Sequence, residues 1–185
     1  MFLTHLHFDH CGGSIKYNKD RTGFETSFKN ATYWSNKEHW EWATKPNPRE
    51  KASFLKENIL PIEESGQLKW VEGEVELFPG VSIQYVRGHT DAMMIPHIKY
   101  KNKTLAYVAD LVPSIGHIPV PYVMAYDTRP LLAINEKTIF MQKAAQEEYI
   151  LFFEHDPHTE CCTVQQTEKG VRLKEKFALN EFFGD

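Results

Sequence analysis

Apolar and polar positions along the chain mark out short elements of both kinds. Near the start, Leu6 and Phe8 alternate with His5 and His7, an extended pattern that puts the histidines on one side and the apolar pair on the other. Met1 to Thr4 reads as the end of an apolar strand running into that cluster, and Gly12-Gly13 permits a tight turn after it. Ser14 to Tyr17 reads as a short helix or the loop after one, and residues 18–30 as an exposed polar loop. Ala31 to Ser35 has strand composition. Asn36 is placed to cap a helix through Trp42, stopped before Pro46. Pro48 suits the first turn of a second helix reaching about Asn58, with 59–66 as a connector.

Strands are expected at 67–72, 74–78 and 81–86, separated by turns at Gly73 and Pro79-Gly80. Residues 93–100 and 104–109 flank Lys101-Asn102-Lys103 as a hairpin, and Pro96 implies an edge position or a bulge in its first arm. Val112 to Tyr122, with prolines at 113, 119 and 121, reads as a long stiff loop. Asp127 or Thr128 is placed to cap the strongest helix, with Pro130 in its first turn and a body from Leu131 to about Glu148. Leu131, Ile134, Thr138, Met141 and Ala145 recur at spacings of three or four and predict its buried stripe. A short strand at 149–154 and a hairpin of 159–166 with 171–176 complete the chain. No repeat or domain boundary interrupts it, so 1–185 is expected to be a single domain of mixed α/β class.

Composition removes several functions. Hydrophobic residues make up 42% and charged residues 25%, which excludes a disordered or fibrous chain. A net charge of -4 gives no basic surface for nucleic acid, and no apolar run approaches a membrane span. Cys11, Cys161 and Cys162 form neither a disulfide framework nor a CxxC pair. Free cysteines and a start without the features of an export signal point to the cytoplasm. The aromatic segment 31–60 and open strand edges suggest a homodimer.

The candidate chemistry lies in histidine. Thr4-His5-Leu6-His7-Phe8-Asp9-His10 gathers three of the chain's nine histidines beside an aspartate. At this chain's own frequencies that arrangement arises by chance in roughly one sequence of this length in a thousand. Imidazole and carboxylate are ligands for zinc and for iron, manganese or cobalt.

This cluster resembles the HxHxDH signature of the metallo-β-lactamase superfamily. Gly88-His89-Thr90 resembles the family's third motif, Asp110 its bridging aspartate and His155 its last ligand. The segment from Asp110 to Pro130 is most similar to the branch containing N-acyl homoserine lactonases. The resemblance implies an αββα sandwich, with His5, His7 and His89 on one metal, Asp9, His10 and His155 on a second, and Asp110 between them. It further implies two divalent ions, zinc before iron or manganese, and hydrolysis of an ester-like bond in a small molecule, a lactone first. Phosphotriester, thioester and β-lactam hydrolysis are alternatives, as is an inactive fragment or a metal-stabilised interaction module. His117 and Tyr122, in the proline-rich loop, are candidates to donate to a developing oxyanion. The Trp and Phe residues of 31–60 are expected to enclose an acyl tail. Family members carry several strands ahead of the first motif, so the sandwich is expected to lack its N-terminal strands here.

His39, His97 and His158 read as ordinary histidines, Cys11 as a small buried filler, and Asp127 as a helix cap rather than a catalytic group. Asp156 reads equally as a partner that orients a metal-bound histidine or as an acceptor for backbone donors.

Overall fold

A computed structural model of the chain describes residues 1–183. Two compact units make it up: Met1–Gly73 with Asp91–Met94, and Glu74–Thr90 with Ile95–Asp185.

In the first unit the histidine cluster runs into a single helical turn, α1 (Phe8–Cys11), followed by β1 (Ile15–Tyr17), β2 (Phe24–Thr26), β3 (Tyr33–Ser35), α2 (Lys37–Thr44), α3 (Lys56–Glu64) and β4 (Leu68–Trp70). β1 and β2 form an antiparallel hairpin where a helix or loop and then an exposed loop were expected. β3 pairs with β4 in parallel, and the chain before the histidines adds only a bridge between Phe2 and Trp34, not a strand. Asn36 caps α2 as expected, its Oδ1 accepting from the backbone N–H of His39 at 2.8 Å.

The second helix forms later than Pro48 predicts. The Asn47 side chain accepts from the backbone N–H groups of Arg49 and Glu50. That local bond closes a turn in place of a helix. α3 then runs through the expected connector and contains Pro61, because full burial of Ile59 and Ile62 outweighs the lost backbone bond. These two join Leu3, Leu6, Tyr33, Trp40 and Phe54 in one apolar cluster. Trp40 and Phe54 therefore build a core, and the sequence expectation that they enclose a substrate tail is corrected.

The second unit holds β5 (Glu76–Phe78), β6 (Val81–Val86), β7 (Met93–Tyr100, from Ile95 onward), β8 (Lys103–Tyr107), α4 (Pro130–Gln146), β9 (Ile150–Phe152), β10 (Cys161–Thr167), β11 (Gly170–Phe177) and α5 (Leu179–Phe183). Its sheet has seven strands in the order β11-β10-β9-β8-β7-β6-β5. β8 and β9 are parallel, which requires a long crossover, and α4 supplies it. β7 lies between β6 and β8, so Pro96 is not in an edge strand. The ladder to β8 begins one residue later, at His97, beyond the position where proline lacks a donor. Cys161 and Cys162 point to opposite faces yet are both fully buried, so the sheet is covered on both sides there.

α4 is buried on a different stripe from the one the sequence suggests. Ala133, Lys137, Phe140, Met141 and Ala144 face inward, while Leu131 is 77% exposed. A lysine in the stripe hides it from an apolar pattern. The Lys137 ammonium donates to the backbone carbonyls of His117, Pro119 and Tyr122, which satisfies all its protons within the proline-rich loop. Burial pushes its pKa down to about 8, a shift that the charge of Asp127 opposes. Lys137→Met should leave these carbonyls without their donor and cost about 3 kcal/mol or more. Hydrogen exchange should then rise over 115–122 before it rises in the sheet; unchanged protection there would remove this role.

Candidate metal centre

In the first unit, backbone contacts aim the histidines. The backbone N–H of Leu6, between His5 and His7, donates to His39 Nε2 at 2.9 Å. That bond fixes the proton of His39 on Nδ1, which donates to the carbonyl of Asp91. Burial pushes the His39 pKa down to about 4, so the ring stays neutral. The Leu6 carbonyl accepts from Cys11 Sγ at 3.3 Å, and burial raises that thiol to about 12, as suits a packing residue. His39 is therefore a structural histidine, but one that holds the segment between His5 and His7.

The first turn of α1 bonds back to the His7 carbonyl and swings His10 toward the same place. The His5 ring centroid lies 4.6 Å from that of His7 and 3.9 Å from that of His10. His5 is fully buried and His7 is 7% exposed. Asp9 is half-exposed, with Oδ2 3.5 Å from His10 Nε2. Three protonated imidazoles at such spacing would repel, whereas neutral rings offering lone pairs are what a first-row metal requires.

In the second unit, the turn carrying His89 is pinned to the start of α4. Glu136 accepts from the backbone N–H groups of Arg87 and Gly88 at 2.8 and 2.9 Å, and Thr128 and Arg129 donate back to the carbonyls of His89 and Gly88. Asp110 sits in a single 3-10 turn after β8. Its Oδ2 lies 2.9 Å from His89 Nε2 and its Oδ1 3.1 Å from His155 Nε2. These are hydrogen-bonding distances, and they bring the carboxylate and both imidazoles together as candidate ligands. Asp110, Glu154 and His155 also offer ligand atoms within 4.8 Å of one another. Glu154 was not singled out from the sequence, where it looks like any acidic residue at a strand end.

Asp127 is the second residue whose role the sequence misassigns. Helix α4 has no side-chain cap, and Asp127 Oδ1 instead lies 2.9 Å from His89 Nδ1. A carboxylate beside Nδ1 holds the proton on that nitrogen and leaves the lone pair on Nε2, the nitrogen that could bind a metal. Burial alone would lower the His89 pKa, but the hydrogen bonds to Asp110 and Asp127 dominate and push it up to about 9. Two carboxylates thus flank one buried imidazole. Asp156 resolves toward its structural reading: it accepts from the backbone N–H groups of Ile115, His158 and Thr159.

Of the two loop candidates, His117 is half-buried with Nδ1 2.8 Å from Ser114 Oγ. Burial and then the nearby Lys137 charge lower its pKa, which keeps the ring neutral at pH 7. Tyr122 is 61% exposed, and its carbonyl rather than its phenol makes the bond to Lys137. Among the described residues no helix is long and apolar enough to cross a membrane.

These features match known proteins. The family profile described as the metallo-beta-lactamase superfamily matches residues 1–155. An N-acyl homoserine lactonase of Bacillus cereus is 28% identical over 173 residues, covering 92% of this chain and 57% of its own length. The chain thus spans little more than half of that relative. The solved structure of a probable metal-dependent hydrolase from Staphylococcus aureus superposes with a TM-score of 0.82 at 26% identity, covering 95% of this chain and 60% of that one. AidC, a dizinc quorum-quenching lactonase, superposes with a TM-score of 0.75 at 24% identity, covering 96% of this chain and 64% of its own. Both neighbours share the fold described above.

Proposed function

The chain belongs to the metallo-beta-lactamase superfamily, and from that membership we propose that it is a dinuclear metal-dependent hydrolase of ester-like bonds, with an N-acyl homoserine lactone as first substrate. The family match includes residues of both compact units. His5, His7 and His89 would hold one ion, Asp9, His10 and His155 the other, and Asp110 both. Zinc is the metal of choice for this donor set, although imidazole and carboxylate also suit iron and manganese. The observation that carries the reading is the buried Asp110 carboxylate, one oxygen on His89 Nε2 and the other on His155 Nε2.

Two divalent ions supply a lowered water pKa and a polarised substrate oxygen. The chain's own residues set the rest. Asp127 keeps His89 in the tautomer that presents Nε2. Ser114 engages His117 Nδ1, leaving Nε2 of a neutral ring to contact the oxygen on which charge develops. Asp156 and Lys137 hold the loop that bears His117 at its two ends. The lactone preference rests on the Bacillus cereus relative and on the segment after Asp110.

The test is a panel of N-acyl homoserine lactones, an activated phosphotriester, a thioester and a β-lactam, each assayed with zinc-loaded and chelator-treated protein. The reading expects lactone turnover that disappears on chelation and returns with zinc. Turnover of another class alone would overturn the substrate, and turnover insensitive to chelation would overturn the metal mechanism.

A further inference from the structure

Glu50 is a buried carboxylate outside the proposed ligand set. It is 3% exposed, within the turn that replaced the expected second helix. A charge is seldom buried so completely without a specific partner. One of its oxygens is fully occupied: Oε2 accepts from the indole Nε1–H of Trp42 at 2.7 Å and from the Asn47 amide at 2.6 Å. The other, Oε1, lies 3.4 Å from His7 Nε2, in a pair whose side chains are 3% and 8% exposed. The same turn also grips the chain beside His7. The carbonyl of Ser53 accepts from the backbone N–H of Phe8 at 2.9 Å, and Phe54 packs against the His7 ring with centroids 4.8 Å apart.

The geometry assigns Glu50 as the positioning residue for His7: it accepts the proton of Nε2, fixes the imidazole in that tautomer and leaves Nδ1 as the metal-binding nitrogen. Trp42 and Asn47 hold the carboxylate from behind, so its orientation is set before any metal arrives. The inference rests on the metal reading proposed above and deepens it, because it names which nitrogen of His7 binds and which residue decides that. Its logic parallels that of Asp127 behind His89, but the residue comes from a turn where the sequence offers no carboxylate–histidine spacing to notice. At 3.4 Å the two atoms are in ion-pair contact, beyond the length of an ordinary N–H···O bond, and the assignment expects that bond to close when the ring binds metal.

Outer partners of this kind usually contribute 10- to 100-fold to metal affinity. The experiment compares zinc affinity, by competition with a chromophoric chelator, for the wild-type chain, Glu50→Gln and Lys51→Ala, an exposed residue of the same turn. Glu50→Gln should bind zinc about 10- to 100-fold more weakly, while Lys51→Ala, which keeps the carboxylate and both groups that hold it, should bind within about threefold of wild type. Equal affinity in Glu50→Gln, or an equal loss in Lys51→Ala, would overturn the assignment and leave the metal reading standing. Absence of zinc binding by the wild type would overturn the metal reading itself, and the assignment with it. Nitrogen-15 shifts of His7 in the zinc-loaded wild type give a second measurement that needs no variant to fold. A proton on Nε2 is expected; a proton on Nδ1 would refute the assignment.

Discussion

Asp110→Asn should abolish most of the activity and loosen the metals while leaving the fold in place. The side chain keeps its shape, but one amide nitrogen must face an imidazole where a carboxylate oxygen stood, at 2.9 Å from His89 or 3.1 Å from His155. A neutral amide is a poorer ligand than a carboxylate, and it cannot offer two anionic oxygens. The loss in kcat/KM should be on the order of a hundredfold or more, comparable to removing a metal's key oxygen donor. Apo-protein stability should change much less, because two buried carboxylates then become one beside His89. Measuring kcat/KM, retained zinc and the melting temperature together separates these effects. Full activity in this variant would show that the reaction occurs elsewhere.

Gly88→Ala should have the largest effect on stability of any single methyl addition in the second unit. A Cβ built on Gly88 would lie 2.3 Å from both Cα and N of Ala133 and 2.6 Å from its Cβ. Two of these three contacts are with the backbone of α4, so no rotamer change relieves them, and the first turn of the helix must move. Overpacking of this kind costs about 3 kcal/mol or more, or roughly 6–12 °C in melting temperature for a domain of this size. Because Thr128 and Arg129 bond to His89 and Gly88, the displacement should carry His89 away from Asp110 and weaken zinc binding as well. Ala133→Gly in the same chain should not rescue it, since it removes only the Cβ contact. Rescue by that second change would mean that the backbone approach is not what requires glycine.

Strands were legible in the second unit. β6 falls where the turn signals at Gly73 and Gly80 put it, both glycines taking the positive φ such turns need, and β7 ends at the expected turn of Lys101-Asn102-Lys103. The ligand candidates were legible because their residue types are rare and their spacing is specific. What the sequence concealed was polar chemistry at buried positions. Lys137 broke an apolar stripe and shifted the predicted face of α4, because nothing local reveals that three loop carbonyls solvate its ammonium. Asp127 looked like a cap because a cap needs only a neighbour in sequence, whereas its partner His89 is far along the chain. Glu50, Glu136 and His39 were missed or set aside for the same reason. Each acts on a residue distant in sequence, and no periodicity records that contact. Asn47 marks the opposite error, where a proline signal for a helix lost to an asparagine that closes a turn two residues on.

Two histidine–carboxylate sets that bind two metal ions, as proposed, can be counted by equilibrium dialysis against zinc followed by elemental analysis, with wild type, His5→Ala and His155→Ala in parallel. Close to two zinc ions per wild-type chain are expected, with about one retained when either His5 or His155 is lost. A wild-type chain that retains no zinc, or one whose zinc content neither substitution changes, would contradict the claim.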